Sequence, residues 1–168
     1  MSEELALEVV LIPLITLALT ALYDRYRESK ERKRMFKTLF DELCNTEKRA
    51  DANTTTIEEE TLRLRQTADL KIRTLMPLST LGWDLIRSSG ITASLGPDTL
   101  AHLYAAYDQV DIHNKLVALR ERYIASSVPT IIQPMYVEDY NHRISQALSS
   151  VKTEIEYVKP EIKKKADC

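Results

Sequence analysis

LALEVVLIPLITLALTALYDRYRESKERKR, residues 5–34, is apolar through its first two thirds and then almost wholly charged. Residues 5–23 make 19 positions with Glu8 as the single charge. At 1.5 Å per helical residue they extend about 28 Å, close to the hydrocarbon thickness of a bilayer. Thr16 and Thr20 are the hydroxyl interruptions, and such hydroxyls bond back to the preceding turn. Pro13 weakens a soluble helix but is tolerated in a spanning one. The stretch therefore predicts a transmembrane helix, with Pro13, Thr16 and Thr20 near one face as the candidate contact between spans. The competing expectation is a soluble helical bundle with an unusually apolar first helix.

The charged flank sets the orientation. Arg25, Arg27, Lys30, Arg32, Lys33 and Arg34 outnumber Asp24, Glu28 and Glu31. Positive charge stays on the cytoplasmic side, so the expectation is a single-pass cell-membrane protein, N-terminus outside and C-terminal domain cytoplasmic. A secretory signal is disfavoured, because Glu3 and Glu4 stand where positive charge belongs. The same six basic residues are candidate contacts for lipid headgroups, although interspersed acids also allow a plain topology signal laced by helical pairs.

Beyond the collar the sequence predicts an all-α body. The 168 residues include only three glycines and six prolines, few for a sheet rich in tight turns. Phe36, Leu39, Phe40 and Leu43 recur at helical spacing, and the polar run NTEKRADANTTT (45–56) predicts the end of that helix. Thr56 and Glu59 resemble a capping box opening a second helix over 57–75. A short helix over 77–90 is capped by Ser79 or Thr80, takes Leu81, Leu85 and Ile86 as its apolar side and stops at Gly90. A long helix over 97–126 and a last one closed by Pro160 complete five helices. Between them Ile131, Ile132, Met135, Tyr136 and Val137 are expected to pack over the bundle or to touch a partner. The domain reading is 1–23 tail and span, 24–48 basic juxtamembrane helix, 49–160 cytoplasmic helical domain and 161–168 polar tail.

Chemistry is sparse. His102, His113 and His142 lack metal-ligand spacing and are expected in exposed or capping roles, and Cys44 and Cys168 form no ligand pair or nucleophile motif. No phosphate loop, dinucleotide fingerprint or nucleophile elbow occurs. No catalytic residue, metal or cofactor is expected, and the chain is read as a non-enzyme. Residues 1–23 hold three acids and no Lys or Arg, so the remainder carries +1 against −2 for the whole chain. Nucleic-acid binding is not expected from so neutral a body. The best polar constellation is Trp83, Tyr104, Tyr107, Asp111 and Asn114, a ligand site or a helix-pairing site.

LSTLGWDLIRSSG (78–90) and TLAHLYAAYDQVDIHNKL (99–116) resemble a module of uncharacterised prokaryotic single-span membrane-anchored helical proteins, through Trp83, Asp84, Ser89, Gly90, Leu103, Tyr107 and Asn114. The resemblance covers about a quarter of the chain and implies an anchor followed by helices, with no activity attached. The expected function is an anchor, scaffold or sensor subunit that touches the lipid bilayer and self-associates or binds a cytosolic protein. The alternative is an oligomeric membrane effector switched by ligand or partner binding to the cytoplasmic domain.

Overall fold

The computed structural model describes residues 3–67, 72–126 and 134–167, with side chains over 14–66, 72–126 and 134–167. Among them are four α-helices and no strand: α1 (Glu3–Thr67), α2 (Leu81–Ser88), α3 (Pro97–Ser126) and α4 (Pro134–Asp167), with a 3-10 turn at Ile91–Ser94. The all-α expectation holds. The five-helix count does not.

The predicted break at 45–56 is absent, and α1 runs unbroken through it. Thr54, Thr55 and Thr56 send their hydroxyls to the carbonyls of Ala50, Asp51 and Ala52 at 2.9, 3.1 and 2.9 Å. Cap formers stop a helix only when the backbone gains by leaving it, and here burial holds it. Leu39, Leu43, Thr46, Ala50, Asn53, Ile57, Glu60 and Leu64 are all buried. Their alternating spacing of four and three is a seam with a 3.5-residue period.

The same period recurs on both partners. In α3 the buried positions include Thr99, Leu103, Ala106, Val110, His113, Val117 and Arg120. In α4 they include Val137, Asn141, Ile144, Leu148, Val151, Ile155, Val158 and Ile162. Cross-links show the directions. Arg65 meets Glu138, Lys152 meets Asp51 and Lys159 meets Glu47, so α4 runs antiparallel to α1. Glu42 meets Tyr107 and Glu60 meets Arg120, so α3 runs parallel to α1.

The return from α1 to α3 is made by an extended segment, residues 72–80, followed by α2. The predicted helix over 57–75 therefore divides: its first part belongs to α1, and its end is extended. Pro77 explains the extension, since it cannot donate to residue 73 and disfavours helix at Met76. Leu75 and Leu78 are buried at 1% and 4% exposure, so this arm still contributes to the core. In α2 the buried side is Gly82, Trp83 and Ile86, whereas Leu81 and Leu85 face outward. Gly90 stops the turn with φ +72°, as expected.

Pro160 does not close α4, which continues to Asp167. Tertiary contacts outweigh the lost hydrogen bond: Ile162 is fully buried, Glu161 accepts from Thr99 Oγ1 and the Gly96 amide, and Lys165 donates to the Ser94 carbonyl. The expected polar tail 161–168 is thus the last turn of a core helix up to Asp167. The core extends from Phe36 to Ile162, so the expected boundaries at 48 and 160 coincide with no break. Ile131, Ile132 and Cys168 lie outside the described residues. Of that connection, Val137 is buried while Met135 and Tyr136 are largely exposed.

Candidate functional site

Two features stand out, one at the free end of α1 and one inside the bundle. Every described side chain from 14 to 34 is exposed. Leu14, Ile15, Leu17, Leu19, Leu22 and Tyr23 are 50–72% exposed on a helix that is continuous with the core seam. Thr20 donates back to the Thr16 carbonyl at 2.8 Å, as the sequence suggests. Thr16 and Thr20 lie one turn apart on one face, and the side chain of Pro13 lies outside the described residues. Among the described residues no helix is long and apolar enough to cross a membrane.

In the collar, Arg27 pairs with Glu31 at 3.1 Å and Arg32 with Glu28 at 3.8 Å. Both pairs are the i,i+4 lacing expected of a solvated helix. Arg27, Lys30, Lys33, Arg34 and Lys37 nevertheless line a notch of about 420 Å³, with Glu31 and, from α4, Ala166. Lys37 was not among the collar residues expected, and α4 was not expected there at all.

Inside the bundle, the expected constellation is partly assembled. The Trp83 ring stacks on Tyr107 at 5.3 Å and 9°, and Tyr104 meets its edge at 5.0 Å and 89°. Trp83 and Tyr107 are buried, while Tyr104 is half-exposed. Asn114 grips the backbone of Leu78, accepting from its amide at 2.8 Å and donating to its carbonyl at 2.9 Å. Asp111 does not join them; it is exposed and pairs with Lys115 at 2.5 Å. His113, the neighbour of Asn114 in sequence, is fully buried, while Asn114 is half-buried.

Sequence reasoning missed the residues that organise this interior: Glu42, Asn53, Glu60, Arg120 and Asn141. An extended arm inside a helical bundle cannot satisfy its own amides and carbonyls, so facing side chains must do so. Asn53 holds both backbone groups of Met76, at 2.9 and 2.8 Å. Glu60 accepts from the Arg73 amide at 3.1 Å, and Arg120 donates to the Arg73 carbonyl at 3.2 Å. Arg120 also donates to Glu60 at 2.5 Å and to Asn141 Oδ1 at 3.0 Å, which joins α1, α3 and α4 in one buried triad. The available signal was the polar residue every seven positions in α1, at Thr46, Asn53 and Glu60.

Glu42 closes the arm. Its carboxylate accepts from the amides of Gly82 and Trp83 at 2.7 and 3.2 Å, from Ser79 Oγ at 2.9 Å and from Tyr107 Oη at 2.7 Å. Thr80 makes no cap to the backbone, so the carboxylate of α1 caps α2 in its place. Gly82 permits the approach: a Cβ there would meet Leu39 Cα at 3.2 Å. Burial first, then the Glu42 charge, raises the Tyr107 phenol far above its ordinary range, so it remains a donor.

The histidines divide. His102 Nδ1 lies 2.5 Å from Glu154 with Tyr157 against its ring, a cross-helix staple. His142 is exposed and meets Gln146. His113 corrects the expectation of exposed or capping roles: it is fully buried beside Asn53 and the Met76 carbonyl, its Nδ1 unpartnered, and burial lowers its pKa. Among the described residues no group of three His, Cys, Asp or Glu side chains could hold a metal ion. No family model, curated protein or solved structure matches the chain.

Proposed function

We propose that the chain is a non-enzymatic, single-pass membrane protein whose helical bundle is an interaction domain held at the cytoplasmic face. The observation that carries this reading is the free end of α1. Six large apolar side chains stand exposed beyond the bundle, and a basic collar separates them from the core. Exposed apolar area costs roughly 25 cal/mol per Å², which favours covering this segment with lipid. The span needs residues 5–13 as well as 14–23 to reach bilayer length. The collar then sits at the interface with Tyr23 and Tyr26, both largely exposed, at headgroup level.

The interior supports a scaffold in preference to an enzyme. Its polar groups are aimed at the chain's own backbone, and the Trp83 ring is enclosed by Tyr104 and Tyr107. A continuous α1 makes span and bundle one rigid lever, so a partner bound to the bundle is coupled to the membrane without a hinge. Contacts between spans along Thr16 and Thr20 remain the proposed route to self-association, and a cytosolic protein the proposed partner.

Alkaline carbonate extraction tests the anchor. The protein is expected to stay with the membrane pellet, with the bundle digestible only in inside-out vesicles. Release into the supernatant would remove the span from the proposal.

A further inference from the structure

Antiparallel packing delivers the end of α4 to the collar. Lys165 lies 5.9 Å from the centre of the Phe36 ring, and Ala166 lines the same notch as Arg27, Lys30, Lys33, Arg34 and Lys37. Lys163 and Lys164 are exposed in that last turn. Lys30, Lys33, Arg34, Lys37, Lys163 and Lys164 form no ion pair with any described residue. Residues 24–37 carry +4 and residues 163–167 carry +2, whereas residues 38–162 carry −5. The bundle is therefore polarised, with its positive end next to the apolar segment. Part of the α4 charge balances the helix C-terminus and Asp167, but the unpaired collar cations have no such partner.

We propose that this notch, walled by the α1 collar and by Ala166 of α4, docks the anionic phosphate headgroups of the leaflet that α1 enters, together with the exposed Lys163 and Lys164 of the same α4 turn. The inference rests on the membrane-anchor reading. Charge complementarity and position choose the occupant: the notch opens beside the segment assigned to lipid, and about 420 Å³ accommodates a phospholipid headgroup. Orientation follows. Phe36 lies twelve residues beyond Asp24, so an upright α1 holds the α4 end about 18 Å from the interface, roughly two Debye lengths at physiological salt. Spanning helices tilt through roughly 0–40°, and a tilt of about 40° towards α4 lowers that end by about 10 Å, into reach of the surface. Each basic residue that arrives there multiplies the docked population about five-fold.

The test is lysine acetylation read by mass spectrometry on the full chain, reconstituted in vesicles of phosphatidylcholine alone or with phosphatidylserine. Expected is at least about threefold protection of Lys30, Lys37, Lys163 and Lys164 in the anionic vesicles, lost in high salt. Lys115, 70% exposed on the far part of α3, serves as the unchanged reference. K163E/K164E should abolish the difference at Lys37 while circular dichroism stays unchanged. Equal reactivity of Lys163 and Lys164 in both vesicles, in protein that floats with both, would overturn the docking and leave the anchor standing. Flotation with anionic vesicles alone, reversed by salt, would overturn the span and leave the docking; flotation with neither overturns both.

Discussion

Replacing Glu42 by Ala removes one carboxylate and leaves four donors without their acceptor: two amides opening α2, Ser79 Oγ and Tyr107 Oη. Glu42 is 8% exposed, so water reaches the vacated site only from one side. Each buried donor left unsatisfied costs about 1–3 kcal/mol. The Ser79 hydroxyl can turn to solvent, and the remaining three give an expected loss of about 3–5 kcal/mol after partial hydration. Glu42→Gln retains an acceptor for the amides and should cost about 1–2 kcal/mol. Denaturant unfolding of the full chain in mild detergent, followed by circular dichroism and by Trp83 emission, measures both. Trp83 is 3% exposed through α2, so its emission should shift to the red in Glu42→Ala before global unfolding. A double-mutant cycle combining Glu42→Ala with Tyr107→Phe should return about 1–2 kcal/mol of coupling. A loss below about 1 kcal/mol in Glu42→Ala, with an unshifted Trp83, would refute the assignment of Glu42 as the cap of α2.

Three further outcomes are expected. Arg120→Met should cost about 3–5 kcal/mol, because it strands the buried Glu60 carboxylate together with Asn141 and the Arg73 carbonyl; replacing Glu60 and Arg120 together should recover part of that loss in the same unfolding assay. Gly82→Ala should destabilise by about 1–2 kcal/mol despite alanine's better helix propensity, since its Cβ meets Leu39 Cα at 3.2 Å and the Glu42 carboxyl at 3.3 Å; thermal melts decide it. His113 has a folded pKa below its unfolded value, so the unfolded state binds the proton first as pH falls. Stability should therefore drop below about pH 6.5, by at most about 1.4 kcal/mol per unit. The contribution should vanish in His113→Gln, as measured by unfolding midpoints between pH 7 and 5.

Helix content, the exposed apolar leader and its collar are local properties, and they were legible from composition and patterning. Gly90 as a left-handed stop was legible for the same reason. The break at 45–56 was misread because Asn45, Thr46, Asn53 and the threonines that follow are ordinary cap formers. Thr46 and Asn53 are instead buried in the seam, where Asn53 satisfies Met76, and Thr54, Thr55 and Thr56 bond back to their own helix. Pro160 was misread for a related reason. The missing hydrogen bond is a local cost, while Ile162, Glu161 and Lys165 supply contacts to residues more than sixty positions away.

The interior polar set was the hardest to see. Asn53, Glu60 and Arg120 lie on the apolar faces of two long helices, α1 and α3, and look like faults in a pattern until the extended arm is placed against them. Sequence alone determined that the chain is helical, that its first helix opens on an apolar stretch and that basic charge follows it, because these depend on residues adjacent along one helix. Tertiary structure decided that the arm over residues 72–80 is extended, that α1 and α3 supply its hydrogen bonds and that the lysines of α4 return to the collar. Those facts depend on which residues meet across the bundle, and no local spacing encodes the register of that meeting.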